Sequence, residues 1–81
     1  MYAIKRERNG RILNENFDHE VTTLSSFKNE DEAKTEIKSR LRAQAEHYGD
    51  NANFTGTETD FTVTVKMQDY NVTEHFYIEK E

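Results

Sequence analysis

The sequence contains no cysteine, so neither a disulfide nor a thiolate metal ligand can reinforce the fold. No apolar run approaches the ~20 residues of a membrane-spanning helix, and the opening stretch MYAIKRERNG lacks the apolar segment of a signal peptide. Glycine-rich phosphate loops, nucleophile elbows and catalytic dyads are also missing. These absences predict one soluble, cytoplasmic domain, residues 1–81, that is not an enzyme.

Apolar and charged residues each make up 33% of the chain, and the formal net charge is −5. Apolar side chains occur along the whole sequence, which predicts a folded domain with a small core rather than disorder. A core of this size rarely contributes more than ~3–5 kcal/mol without disulfides, metal or oligomerisation. We therefore predict self-association, most simply as a homodimer, which would also pair strand edges that an open sheet leaves free.

The segment IKRERNGRIL, residues 4–13, places four basic side chains around Asn9-Gly10. Asn-Gly is typical of a two-residue hairpin turn, because both central residues of that turn need positive φ. The resulting register predicts that Tyr2 faces Phe17 across the hairpin. It also gathers basic side chains towards the turn: Lys5, Arg6, Arg8 and Arg11.

A helix is predicted from Glu30 to Tyr48, after a short strand or irregular connection at residues 18–28. Asn29 can cap the first turn and Glu32 can close a capping box. Gly49 is placed to end the helix. The apolar stripe that should face a sheet consists of Ala33, Ile37, Leu41, Ala45 and Tyr48, with Ile37 and Leu41 as core residues.

The C-terminal part alternates apolar and polar residues over 61–67 and 72–78, which predicts a second hairpin with its turn near Asp69-Tyr70. In the simplest register Val63 faces Phe76, and Glu74 alone interrupts the apolar face.

Residues 49–58, GDNANFTGTE, are polar and contain glycine, so they are predicted as a loop. The order hairpin, connection, helix, hairpin predicts an α+β fold of ββαββ type, with one amphipathic helix on one face of a four-stranded, mostly antiparallel sheet.

Three histidines each adjoin a glutamate: His19, His47 and His75. Residues next to each other in sequence point to different faces of a strand or helix, so a histidine and its neighbouring glutamate do not both point at one ligand. Their spacing matches no metal or catalytic motif. We predict surface histidines, no catalytic residue, no metal and no cofactor.

Two candidate surfaces would bind a protein. The sheet face away from the helix carries the candidates His75 and Tyr77, together with Ile12, Thr62, Thr64, Lys66 and Thr73. Clustered carboxylates could instead occupy a basic groove meant for nucleic acid. The carboxylate candidates are Glu15, Asp18, Glu20, Glu30, Asp31, Asp50, Glu58 and Asp60, with Glu32 beside them. For each surface the alternative is an ordinary solvated face.

The alternative function is nucleic-acid binding by the basic hairpin, in which Lys5, Arg6, Arg8 and Arg11 would contact phosphates. Glu7 within the cluster and the acidic remainder of the chain oppose it. Single-strand recognition would also need aromatic side chains, which the hairpin tip lacks.

One set of residues consists of Tyr2, Ile4-Lys5, Gly10 and Leu13, followed by Phe27 and by Asp31-Glu32-Ala33, which leads into a charged helix. This set resembles a pattern in small accessory proteins of phages and prophages. The resemblance covers about the first half of the chain. It implies a bacterial host cell and a non-enzymatic protein that binds and inhibits a host protein, such as a restriction or CRISPR effector. The matching positions are structural, so the resemblance assigns no functional residue.

Overall fold

The computed structural model describes residues 1–81 and has one α-helix on one face of a five-stranded antiparallel sheet. The elements are β1 (Tyr2–Ile12), β2 (Glu15–Phe27), α1 (Glu30–Tyr48), a 3-10 turn (Gly49–Asn51), β3 (Ala52–Thr57), β4 (Asp60–Met67) and β5 (Tyr70–Lys80). Across the sheet the order is β2-β1-β5-β4-β3, so β2 and β3 are the edges. The α+β class is confirmed. The four-stranded ββαββ arrangement is wrong, because a fifth strand forms from the segment predicted as a loop.

The helix follows its local signals. Asn29 accepts a hydrogen bond from the Asp31 backbone N–H through its side-chain oxygen at 2.7 Å, and Gly49 ends the helix with φ 55°. The predicted bounds, Glu30 to Tyr48, are confirmed. The return bond of a capping box, in which the Asn29 N–H would donate to the Glu32 carboxylate, is not formed.

The first hairpin does not turn at Asn9-Gly10. Strand β1 continues through this pair to Ile12, and the turn is made by Leu13 and Asn14. The predicted register is therefore wrong, since Tyr2 lies opposite Phe27 and not Phe17.

Asn9 and Gly10 have structural tasks inside the sheet. Strand β2 bulges opposite them, and the side-chain oxygen of Asn9 accepts the backbone N–H of the bulge residue His19 at 2.8 Å. Gly10 has φ 120°, and a β-carbon there would overlap the Asn71 carbonyl oxygen and come within 2.8 Å of the Val72 α-carbon. Asn-Gly thus supports a bulge and a close approach of β5, both of which need the partner strands in place.

Gly10→Ala is expected to destabilise the protein more than Gly49→Ala. Both glycines have positive φ, which costs of order 1–3 kcal/mol in a residue with a β-carbon. At Gly49 no atom lies within 4 Å of the added carbon, whereas at Gly10 the backbone of β5 must also move. Urea denaturation of the two variants measures the difference, and equal midpoints would show that the β1–β5 contact is looser than the structure has it.

The second hairpin keeps its faces and changes its register. Its turn is at Gln68 and Asp69, and Val63 lies opposite Glu74 instead of Phe76. A shift of two residues leaves every side chain on its predicted face, because strand side chains alternate with period two. Glu74 therefore stays on the inner face, with Val63 as its neighbour across the hairpin.

The core lies between α1 and the inner face of the sheet. It is built on the buried side chains Ile4, Ile37, Phe61, Val63, Val65, Val72 and Phe76. Ile37 is fully buried as predicted, while Leu41 is only partly buried against the cluster and Ala45 is exposed. Ile12, assigned to the open face by the predicted register, also contacts the core instead.

Candidate functional site

A charged cluster is buried at the centre of the inner sheet face. Glu74 on β5 is 3% exposed, and Arg8 of the neighbouring β1 donates to its Oε2 from Nε at 2.8 Å, with Nη2 at 2.7 Å from the same oxygen. The Nε of Arg6 lies 3.5 Å from that oxygen but is not aligned to form a hydrogen bond. Arg8 also lies over the Phe17 ring, 5.0 Å from its centroid. Two guanidinium groups therefore neutralise the buried carboxylate and leave a local excess of positive charge.

Tyr48, at the end of the helix, lies in the field of this cluster. Partial burial raises the pKa of its hydroxyl, the negative charge of Glu74 raises it further, and the guanidinium groups of Arg8 and Arg6 oppose the shift. The hydroxyl stays neutral, so Tyr48 adds no charge to the cluster.

The four basic residues of the first strand do not form one surface. Arg6 and Arg8 point to the inner face and are engaged with Glu74. Lys5 and Arg11 alternate to the other face, where Lys5 donates to Thr23 at 2.6 Å and pairs with Glu79 at 3.8 Å. The prediction of a basic cluster at a hairpin tip is therefore wrong, because β1 runs straight through the predicted turn.

The open face of the sheet holds a short polar network. His75 on β5 lies 2.6 Å from the Asp60 carboxylate, and its ring centroid is 4.8 Å from that of Tyr77. Thr64 and Thr73 meet nearby at 3.5 Å between hydroxyls. His75 and Tyr77 are thus together on the uncovered face as predicted, among threonines, and His75 is hydrogen-bonded to Asp60.

The predicted carboxylates do not form one surface. Glu15, Asp18 and Glu20 lie on the edge strand β2, whereas Glu30 and Asp60 border one depression at the opposite end of the sheet. Asp50 lies in the turn after the helix. Ion pairs engage Glu30 with Lys34, Glu58 with Lys38, Asp60 with His75 and Asp18 with His19.

Three carboxylates at the start of α1 have no such partner. Asp31, Glu32 and Glu36, here called the acidic shelf, border an open depression of about 540 Å³ next to the half-buried ring of Phe27. None of them forms an ion pair. Glu32 and Glu36 are four residues apart on one helix face, an arrangement that repels and destabilises the helix slightly. The acidic shelf combines unpaired negative charge with an apolar surface.

His19 occupies the β2 bulge with φ 51° and is exposed. Its Nδ1 lies 2.6 Å from the Glu7 carboxylate, and this hydrogen bond, followed by the charges of Asp18 and Glu7, raises the pKa of His19 above its ordinary value of 6.5. Protonation of His19 therefore strengthens its contact with Glu7, which holds the bulge of β2 against β1.

Because the pKa of His19 is raised on folding, its stabilising contribution is complete below pH 6.5 and is lost as the pH rises through the raised value. NMR titration should place the His19 midpoint above 6.5, and Glu7→Gln should lower it, since the hydrogen bond to Glu7 is the main cause. A midpoint that is the same in the variant would mean that the bond is absent in solution.

In the sequence, the buried cluster is marked by Glu74, which interrupts the alternation of apolar and polar residues along the last strand. A single carboxylate on a buried face requires a cation nearby, and Arg6 and Arg8 were the available partners on a strand of matching periodicity. Sequence reasoning missed the pairing because the Asn-Gly turn placed these arginines at a hairpin tip.

No three histidine or acidic side chains come close enough to hold a metal ion. The one helix does not have the combination of length and hydrophobicity that a bilayer crossing requires. Comparison of the chain with known protein families, with curated proteins and with solved structures found no match.

Proposed function

We propose that this is a small, non-enzymatic binding protein of phage or mobile-element origin that inhibits or modulates a host protein through the acidic shelf. The proposal rests on one observation: Asp31, Glu32 and Glu36 form no ion pair and lie together around one depression beside the half-buried ring of Phe27. The resemblance of the first half of the sequence to phage accessory proteins supports the origin.

The partner surface that fits this shelf is basic. Arginine or lysine side chains would pair with the carboxylates, while their aliphatic stems would lie along the ring of Phe27. Groove residues of a nucleic-acid-handling protein have this chemistry, which makes a restriction or CRISPR effector a suitable target. The repulsion between Glu32 and Glu36 would be relieved by binding such a cation.

The alternative, nucleic-acid binding by the first strand, has less support in the geometry. Arg6 and Arg8 contact Glu74, and Lys5 is paired with Glu79 on the opposite face. Of the four basic residues on this strand only Arg11 forms no ion pair, so the strand offers few cations to release counterions from a phosphate backbone, and its affinity for DNA or RNA should be low at physiological salt.

The test is capture from nuclease-treated bacterial lysate, with the wild-type protein compared with a triple variant, Asp31→Asn, Glu32→Gln and Glu36→Gln. These changes remove three charges and keep side-chain size. A host protein retained by wild type, lost by the triple variant and released by raised salt is the expected result.

The matched control removes three charges elsewhere, through Glu15→Gln, Glu20→Gln and Glu46→Gln, none of which borders the depression. It should retain the captured protein, and circular dichroism should show all three proteins folded. Capture that is equal in both triple variants would refute the acidic shelf as the docking site. Affinity for duplex DNA at 150 mM salt would instead favour the alternative.

A further inference from the structure

The two edges of the sheet differ in how they are protected from pairing with another strand. Edge strand β2 has 13 residues, carries several carboxylates and contains two register irregularities, near Leu24 and His19. Bulges and charges of this kind are the usual protection against edge-to-edge association. Strand β3, Ala52–Thr57, has neither, because its six residues are uncharged and its pairing with β4 is regular.

Apolar surface adjoins the unprotected edge. The helix contacts β1, β5 and β2 most extensively, so it leaves the inner face beside β3 partly open. There Leu41, Phe54 and Phe61 border a depression of about 270 Å³, and both Leu41 and Phe54 are only half-buried. A strand added to β3 would extend the sheet and bring its own side chains over this surface.

We infer that β3 is a dimerisation edge, at which a second copy of the chain pairs antiparallel with β3 about a two-fold axis at Thr55. This register opposes Phe54 of each copy to Gly56 of the other, so that a ring covers a residue without a side chain. Asn53 then opposes Thr57 on the outer face, and Thr55 opposes itself. No charge within the strand faces a like charge.

The composition of β3 selects this register. Centring the axis one residue earlier, at Phe54, would leave Gly56 opposite Ala52, with no ring to cover it. The axis at Thr55 places Phe54 opposite Gly56 instead.

The same contact also explains why assembly stops at two copies. A two-fold contact uses the β3 edge of each chain, and the remaining edges are the protected β2 strands. The product is a closed dimer with one ten-stranded sheet, and the half-buried Leu41 and Phe54 of both copies lie along the trough between two helices. This inference is independent of the acidic shelf, which lies at the other side of the helix.

The first test is the mass of the wild-type protein by light scattering over a micromolar concentration series. The expected result is a shift to twice the monomer mass. Thr55→Lys places two ammonium groups against each other at the axis, which should weaken dimerisation about tenfold or more. An equimolar mixture of Thr55→Lys with Thr55→Glu should restore the dimer.

The matched control is Val21→Lys, which adds the same charge to the other edge at an exposed position. It should dimerise as wild type does. A wild-type protein that stays monomeric to hundreds of micromolar, or a dimer lost in Val21→Lys and kept in Thr55→Lys, overturns the inference.

The second test uses the absence of cysteine from the chain. Directly opposed residues of an antiparallel pair have α-carbons about 4.5–5.5 Å apart, within the range of a disulfide, so Thr55→Cys should cross-link under mild oxidation. Asn53→Cys should not, because in this register the two copies of residue 53 lie roughly 13 Å apart along the strands. Cross-linking of Asn53→Cys but not Thr55→Cys contradicts the stated axis.

Discussion

Arg8→Met should destabilise the protein by about 3–5 kcal/mol, the usual cost of removing one partner from a buried ion pair. Glu74 is 3% exposed and both of its short contacts come from Arg8, so the variant leaves a buried carboxylate with only the misaligned Nε of Arg6 at 3.5 Å. For a domain of this size that loss approaches the whole free energy of unfolding. Circular dichroism with urea denaturation is the measurement.

Arg11→Met is the matched control, since Arg11 is exposed and bonds only the Leu13 carbonyl. Its effect should stay within about 0.5 kcal/mol. The double variant Arg8→Met with Glu74→Leu should recover much of the loss, because replacing a buried pair with apolar side chains is often neutral or stabilising. If the double variant is no more stable than Arg8→Met, the two residues are not coupled as the structure has them.

Ile37→Ala should cost about 2–5 kcal/mol through lost burial and the cavity left between helix and sheet. Ile37 has no exposed surface and belongs to the core cluster, whereas Leu41, one turn later, is only partly buried. Leu41→Ala should therefore cost less than Ile37→Ala. Thermal unfolding of both variants is the measurement, and a larger effect at Leu41 would mean that the helix is rotated relative to the sheet.

If β3 pairs in the dimer, the loss in Leu41→Ala should also depend on protein concentration. Leu41 borders the depression beside β3, so a second copy would bury it further. Melting of wild type and Leu41→Ala at low and high micromolar concentration separates the two contributions, because only the dimer makes unfolding concentration-dependent.

The helix could be predicted because its signals are local. A capping side chain at Asn29, a glycine at position 49 and an apolar periodicity between them lie within one continuous segment. None of these depends on where the strands go. The inner face was less predictable over its second half, where half-buried Arg40 and Gln44 lie inward and Ala45 is exposed.

Strand β3 could not be predicted because its inward residues give little hydrophobic signal. Ala52, Phe54 and Gly56 alternate inward, and only Phe54 is a large apolar side chain. The strand forms by pairing with β4 along its whole length, which also packs the ring of Phe54 against the core. Both contacts are made with a distant segment and are not visible in residues 52–57 themselves.

The sequence by itself determined the α+β class, the helix with both of its ends and the inward and outward faces of β4 and β5, because these depend on neighbours within a few residues. Tertiary structure decided the strand register, the presence of the fifth strand and the partners of the charged side chains. Asn9-Gly10 favours a turn in isolation, yet pairing of β1 with both β2 and β5 along its whole length outweighs one local turn preference. That register moves Arg8 from a solvated tip to the carboxylate of Glu74, where the low polarity of the interior makes their pairing obligatory.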